Sequence, residues 1–275
     1  MGKRTVGARA DEGGGLRGGV PGIGEKVMQF VKMEGLGNDF ILVVGSLQPS
    51  PDEVRTWADR RTGIGADGVV VATPLGGNVV RMKIFNTEGG EAELSGNGLR
   101  CVARMASDKG WVDGPSFSIE TKAGSHRVEM RDGHVIAVEL GAVTVGDSFD
   151  VDGHTVYRAD IGNPHAVLLV DDPDRQPVAE LGGRLERSNG VNVEFAGVIA
   201  ADRMRMRVWE RGVGETLACG TGAAAAQAVA HALDQVGADV VVELLGGLLL
   251  VELRGGVSWI AGPANYVFEG RWTRT

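Results

Sequence analysis

Two short stretches carry the side chains best suited to chemistry. Residues 84–98 read IFNTEGGEAELSGNG, and residues 208–222 read VWERGVGETLACGTG. Each ends in a glycine-rich loop, with Ser95 ahead of Gly96-Asn97-Gly98 in the first and Cys219 ahead of Gly220-Thr221-Gly222 in the second. A strand, a glycine-rich loop and a helix start expose backbone N–H groups at the positive end of a helix dipole, a site for a carboxylate or phosphate. Two such loops facing each other could grip one small anion from both sides. A thiol just before a helix is expected to titrate below its usual ~8.5, so Cys219 reads as a thiolate placed to remove an α-proton. Cysteine is often a small buried hydrophobe instead, but Cys219 stands at the most motif-dense point of the chain. Cys101, by contrast, lies about 9 Å along a helix and about 240° around it from Ser95, and reads as core packing.

Other chemistries fail on spacing. The five histidines include no HxxxH or HExxH pair and the two cysteines no CxxC, so no metal site is expected. Gly63-Ile64-Gly65-Ala66-Asp67-Gly68 spells GxGxxG, but a helical stretch precedes it and Val69-Val70-Val71 follows. A dinucleotide fingerprint needs the reverse order. The second loop lacks the lysine of a P-loop, and Ser95 with His165 lacks the GxSxG elbow of a serine hydrolase. A net charge of −8 argues against a nucleic-acid binder. No apolar run is long enough to span a membrane, and two distant cysteines suit a reducing, cytoplasmic setting.

The elements that position these loops come in two copies. The stretches above align without a gap at a constant offset of 124 residues, matching Phe85 to Trp209, Gly90 to Gly214, Glu91 to Glu215 and Gly96 to Gly220. Gly37-Asn38-Asp39-Phe40 aligns with Gly162-Asn163-Pro164-His165, and Gly65-Ala66-Asp67 with Gly190-Val191-Asn192, each within one residue of that offset. Two halves therefore share one fold. Strands are expected at 28–32, 40–45, 69–73, 79–86, 116–122, 125–130 and 134–140, the last two joined at Asp132-Gly133. Helices are expected at 52–61 and after Ser95 up to Gly110. In the second half Met204, Met206 and Val208 alternate with arginines in a strand with one wet face. An Ala-rich helix at 223–236, apolar nearly all round, should be enclosed by sheet, and 239–245 with 248–253 should form a hairpin about Gly246-Gly247. Residues 1–27, glycine-rich and without an apolar core, read as a disordered tail, or as the product of a start codon upstream of Met28.

These residues resemble the diaminopimelate epimerase family. The matching motifs run in order: Lys32–Phe40 (KMEGLGNDF), Arg60–Gly68 (RRTGIGADG), Ile84-Phe85-Asn86, Ser95–Cys101 (SGNGLRC), Gly162–Val167 (GNPHAV) and Glu210–Gly222 (ERGVGETLACGTG). The resemblance implies an α/β (α+β type) fold of two pseudo-symmetric domains, each a mixed, largely antiparallel sheet wrapped around a central helix. One half would comprise 28–139 with 262–275, the other 140–261. It further implies a cofactor-independent enzyme, commonly a homodimer, that interconverts LL- and meso-diaminopimelate for lysine and peptidoglycan synthesis. One side chain takes the α-proton from one face and another returns a proton to the opposite face. By position, Cys219 and Ser95 would be the two acid/base groups, tuned by His165 and Glu210. Gly96, Asn97, Gly220 and Thr221 would hold the α-carboxylate. Asn38, Asn86, Asn163, Asn192, Glu210 and Arg211 would line the rest of the substrate, with Arg211 suited to a bidentate grip on the distal carboxylate. The chain departs from the family where a cysteine is expected and Ser95 stands, and in the loop 186–190, which lacks the family's histidine and Phe-Pro. A serine hydroxyl is too weak an acid to rest as an alkoxide at neutral pH, so Ser95 could relay protons to His165 or water. A one-base isomerase or lyase acting through Cys219, or a non-catalytic amino-acid-binding protein, would share the same scaffold.

Overall fold

Alternation along the chain sets the strands, and glycines or short turns end them. In the strand Arg203–Glu210, Met204, Met206 and Val208 are buried while Arg203 and Arg205 are exposed, the one-wet-face pattern expected of it. The computed structural model describes residues 27–132 and 135–273. The expected tail, apart from Val27, lies outside the described residues, as do Gly133 of the expected turn and His134 of the strand expected at 134–140.

The first copy of the fold contains β1 (Val27–Gly35), β2 (Asn38–Val44), α1 (Pro51–Ala58), β3 (Gly68–Gly76), β4 (Val79–Asn86), β5 (Glu91–Ala92), α2 (Gly96–Asp108), β6 (Ser116–Thr121), β7 (Gly124–Met130) and β8 (Ile136–Gly141). The second contains β9 (Thr144–Val151), β10 (His154–Asp160), β11 (Pro164–Leu169), α3 (Gly183–Asn189), β12 (Asn192–Ala200), β13 (Arg203–Glu210), β14 (Gly214–Thr216), α4 (Gly220–Ala232), β15 (Asp239–Leu244), β16 (Gly247–Arg254) and β17 (Val257–Gly262). The last strand, β18 (Asn265–Thr273), returns to β1. The offset of 124 residues maps β3 onto β12, β4 onto β13 and α2 onto α4, end for end.

The described strands form one continuous 18-stranded sheet. Pairing runs β18–β1–β2–β3–β4–β6–β7–β8 through the first copy. It crosses at an antiparallel β8–β17 pair, where Val138 faces Ile260, and continues β17–β16–β15–β13–β12–β11–β10–β9. Only β2–β3, β4–β6, β11–β12 and β13–β15 are parallel among these described pairings, so each domain is a mixed, largely antiparallel sheet. Each wraps a central helix: α2 packs on β1, β4 and β8, and α4 on β11, β12 and β16. Leu99, Val102 and Met105 of α2 and Ala223, Ala226 and Val229 of α4 belong to one apolar core continuous across both halves. The alanine run of α4 is enclosed on all sides, as its uniform apolarity requires.

Several boundaries differ from the sequence reading for local reasons. The β1–β2 hairpin is longer than expected, because Leu36 (φ 55°) and Gly37 (φ 80°) form a tight two-residue turn. Helix α1 stops at Ala58 instead of 61, since the amides of Ile64 and Gly65 fold back onto the Trp57 carbonyl. Helix α4 begins three residues early, capped by Cys219, and ends at Ala232 before the left-handed Asp234 (φ 56°). The β15–β16 turn lies at Leu245-Gly246, because Leu244 already pairs with Gly247. Register also shifts one repeat match: Phe40 faces Gly68 and His165 faces Asn192, so Asn192 corresponds to Gly68 and not Asp67.

The β15–β16 turn touches the β1–β2 turn of the other half. A Cβ on Gly246 would lie 1.8 Å from the Leu36 carbonyl oxygen, whereas one on Gly237 would meet nothing closer than 3.5 Å. Gly246→Ala should lower the melting temperature by about 5 °C, corresponding to roughly 2 kcal/mol, and Gly237→Ala by no more than about 1 °C. Scanning calorimetry of the two variants checks this; equal melting would contradict the close approach of the two turns.

Candidate active site

Because both central helices begin at glycine, their first turns can meet. A Cβ on Gly220 would stand 3.7 Å from the Gly96 Cα and 2.7 Å from Cδ1 of Ile260; one on Gly96 would stand 2.5 Å from the same Ile260 atom. The first-turn N–H groups of Gly96, Asn97, Gly220 and Thr221 have no acceptor in their own helices. Two positive helix ends therefore point at one small volume. Ser95 and Cys219 are the N-cap residues of these helices, both extended: the Ser95 hydroxyl accepts from the Gly98 amide at 3.1 Å, and the Cys219 sulfur from the Gly222 amide at 3.4 Å.

On the Ser95 side the polar groups tie the halves together. Asn97, buried, donates from Nδ2 to Asn38 Oδ1 and to the Ala218 carbonyl, both at 3.1 Å, reaching the loop that carries Cys219. Its Oδ1 accepts from Arg100 at 2.7 Å. Arg100 is fully buried, and burial brings its guanidinium down to about 10. Asn38 in turn donates to Asp67 at 2.8 Å, and Arg60 bridges Asp67 and Asp39 at 2.6 and 2.7 Å. Lys32 pairs with Asp39 at 2.7 Å and donates to the Gly65 carbonyl. Burial works to raise the Asp39 carboxyl, but the Arg60 and Lys32 cations overcome it and hold it at about 2. This network, from the two N-terminal motifs, fixes the Asn38 amide. Sequence reasoning missed Arg100, though its position four residues into a buried helix was the available signal.

The Cys219 side is built from ionisable groups. His165 Nδ1 lies 2.7 Å from Glu194 Oε1, with both side chains wholly buried, and His165 Nε2 lies 3.2 Å from Asn163 Oδ1. Asn163 Nδ2 donates to Thr221 Oγ1 at 3.4 Å, and Thr221 Oγ1 is 3.4 Å from the sulfur. Glu210 accepts from the Thr216 hydroxyl and hydrogen-bonds the Cys219 thiol. Burial, then Glu194, push the Glu210 carboxyl up. Cys219 reverses the sequence expectation of a lowered pKa: burial first, then Glu210 and Glu194, push its thiol well above the usual value, outweighing the Thr221 and Gly222 hydrogen bonds. A helix dipole cannot offset that much lost hydration and like charge. Glu194 was missed in the sequence, where it sits within a strand of core residues.

The remaining candidates divide. Asn192 Oδ1 accepts the Arg211 amide at 2.9 Å, and its Nδ2 donates to the Pro164 carbonyl at 3.4 Å, so Asn192 shapes the backbone. Arg211 is exposed and donates to the Gly190 carbonyl at 3.2 Å. Asn86, exposed at the end of β4, accepts the Gly90 amide at 2.8 Å. His165 is committed to Glu194 and Asn163, so the expected relay from Ser95 to His165 has no geometric support. Among the described residues no group of three or more His, Cys, Asp or Glu is placed to hold a metal ion, and no helix is long and apolar enough to cross a membrane.

A sequence profile described as diaminopimelate epimerase matches residues 30–146 and 157–267. The diaminopimelate epimerase of Halorhodospira halophila is 42% identical over 276 residues, covering 88% of this chain and 94% of its own. That of Pseudomonas syringae pv. tomato is 39% identical, covering 89% and 99%. Among solved structures, a predicted epimerase from Pseudomonas aeruginosa superposes with a TM-score of 0.74 at 16% identity, covering 90% of this chain and 100% of that one. A Bacillus anthracis protein of the PhzF family gives 0.72 at 18%, covering 90% and 99%. These structures share the fold; the sequence matches, spanning nearly all of the described residues, carry more. The chain belongs to the diaminopimelate epimerase family.

Proposed function

We propose that the chain epimerises diaminopimelate at one α-carbon, interconverting the LL and meso forms for lysine and peptidoglycan synthesis. The observation that carries this is the meeting of two helix N-termini with an N-cap side chain on each, Ser95 and Cys219. The α-carboxylate would lie on the N–H groups of Gly96, Asn97, Gly220 and Thr221, where two helix dipoles favour the charge that develops when the α-proton leaves. Cys219 is the base on one face. The thiol first passes its proton to Glu210, the thiolate then takes the α-proton, and the electron pair of the broken C–H bond spreads into the held carboxylate. On the opposite face the new C–H bond takes its proton from the Ser95 hydroxyl, which solvent reprotonates. Asn38, Asn86, Asn163, Glu210 and Arg211 would line the remainder of the substrate, with Asn192 supporting Arg211. The same proposal includes action without a cofactor, a cytoplasmic location and a homodimer. Strand β18, which pairs only with β1 among described strands, leaves Tyr266, Val267 and Phe268 exposed and suits an interface between copies. Domain bounds of 28–139 with 262–275 and of 140–261 accord with the return of β18 to β1.

Incubation with each diaminopimelate stereoisomer in D₂O tests the assignment. The isomer whose α-hydrogen faces Cys219 should exchange it, inversion should yield the other isomer carrying deuterium, and Cys219→Ala should do neither. Activity retained by Cys219→Ala would remove the base.

Ser95→Cys places a stronger acid on the second face. Turnover should rise by about tenfold or more, a barrier change near 1.4 kcal/mol. An unchanged rate in a steady-state assay would mean that reprotonation at Ser95 does not limit the reaction.

A thiol held up by burial and by Glu210 also sets its own reactivity. Iodoacetamide should modify Cys219 slowly at neutral pH and about ten times faster per pH unit above it until the thiol has ionised. Cys101, which burial pushes up to about 12, should stay unmodified throughout. Peptide mapping across a pH series measures both; a Cys219 rate flat from pH 6 to 9 would contradict the raised thiol.

A further inference from the structure

The fold doubles the backbone, but the hydrogen bonds behind the two N-caps run in opposite senses. In the first half Asn97 donates to Asn38 and Asn38 donates to Asp67, so the donors run away from the Ser95 loop and end on a carboxylate. In the second half Asn163 donates to Thr221, which leaves the Thr221 hydroxyl hydrogen free to point at the Cys219 sulfur 3.4 Å away. Behind Asn163, both ring nitrogens of His165 face oxygen: Glu194 Oε1 at 2.7 Å and Asn163 Oδ1 at 3.2 Å. With the Asn163 amide nitrogen given to Thr221, its oxygen faces the ring, so the geometry lets the ring donate from both nitrogens when an anion lies beside it. The strand register places apolar Phe40 and Val70 where the second half has His165 and Glu194, so the first half has no counterpart to this pair.

Glu194 is placed as that anion. Its side chain is wholly buried, and its Oε2 has no hydrogen-bond partner among the described residues. A Cβ on Gly222 would lie 2.6 Å from Oε1, so the carboxylate lies against the positive first turn of α4. Around this chain, β12 brings Glu194 and β13 brings Glu210. From β10, Arg158 and Asp160 line a small hollow with His165.

We propose that Glu194 is a positioning residue for Cys219: it holds His165 as a double donor and so aims a one-way chain of donors, His165 to Asn163 to Thr221, at the sulfur. The inference rests on the reading of Cys219 as the base, since its purpose is to support the thiolate that forms when Glu210 takes the thiol proton. Without the Glu194 charge the ring keeps a single N–H. Asn163 then turns its amide to donate to the bare ring nitrogen, and Thr221 gives its hydroxyl hydrogen to Asn163 instead of the sulfur.

The sign of one shift decides the matter. In Glu194→Gln, which keeps shape and volume, the pH profile of Cys219 modification by iodoacetamide should move to higher pH, slowing modification about threefold or more at a fixed pH below the plateau. A move to lower pH would overturn the proposal, because Glu194 would then act only as a nearby charge that repels the thiolate. An unmoved profile would overturn it as well. Thr221→Val should move the profile in the same direction and Thr221→Ser should leave it in place, so the test stands even if Glu194→Gln does not fold. Equal profiles for the two Thr221 variants would remove the chain. Loss of isotope exchange in Cys219→Ala is read separately, so the role of Cys219 can stand while that of Glu194 falls.

Discussion

The contact between Gly96 and Gly220 is the constraint on which the architecture depends. One carboxylate can be shared by two helix dipoles only if both first turns come within reach of the same anion, and a side chain at either position would strike Ile260. That approach explains why β8 and β17 pair at the centre of the sheet, beneath both helix starts. Helix α4 is almost wholly small and apolar because sheet encloses nearly all of it, whereas α2 keeps an exposed face at Asp108. The residues of both first turns are buried, and unpaired amides so placed favour an anionic ligand.

A duplicated backbone provides symmetry, and the side chains break it at four corresponding places. Phe40 answers His165, Val70 answers Glu194, Asn86 answers Glu210 and Ser95 answers Cys219. The ionisable member falls on the same side each time. Burial first, and then the closeness of two carboxyl groups and a thiol that cannot all carry charge there, push the thiol and Glu210 toward their neutral forms. The first half spends its charges elsewhere, in the Lys32, Asp39, Arg60 and Asp67 network that orients Asn38.

Much of this was readable in the sequence because it rests on local rules. The offset of 124 residues and the glycine-rich loops located both helix starts, and alternation in Arg203–Glu210 identified a half-wet strand. Where the reading failed, tertiary contacts decided. The end of α1 depends on a loop folding back onto Trp57, and the hairpin turn at Leu245-Gly246 on the approach of Leu36. Strands β9 to β12, β17 and β18 are not evident from local period, and pairing with neighbouring strands places them. Glu194 and Arg100 are charged residues inside otherwise apolar segments; the partner of Glu194, His165, is distant in sequence, and Arg100 reaches the distant Pro263 carbonyl as well as nearby Asn97. The expected low thiol pKa failed for a related reason: a helix start is visible in sequence, whereas burial and the two carboxylates that outweigh it are not.

Ser95 shows how a fold can keep a position while the chemistry there changes. Serine is a favoured N-cap, and its hydroxyl takes the Gly98 amide just as the Cys219 sulfur takes that of Gly222. Folding therefore does not distinguish serine from a thiol at the start of α2, and the difference falls on proton transfer alone. A hydroxyl can give its proton to a carbanion and recover one from solvent. Acting as the base is far harder, because the alkoxide is scarcely populated at neutral pH and no ionisable group among the described residues hydrogen-bonds Ser95 to assist it. Forward and reverse epimerisation share one path, so this difficulty slows both directions equally and leaves the equilibrium between stereoisomers untouched. On the proposed mechanism, exchange at the Cys219 face needs no Ser95 step, so different residues would set the two halves of one reaction and only the Ser95 half would be limited by the hydroxyl.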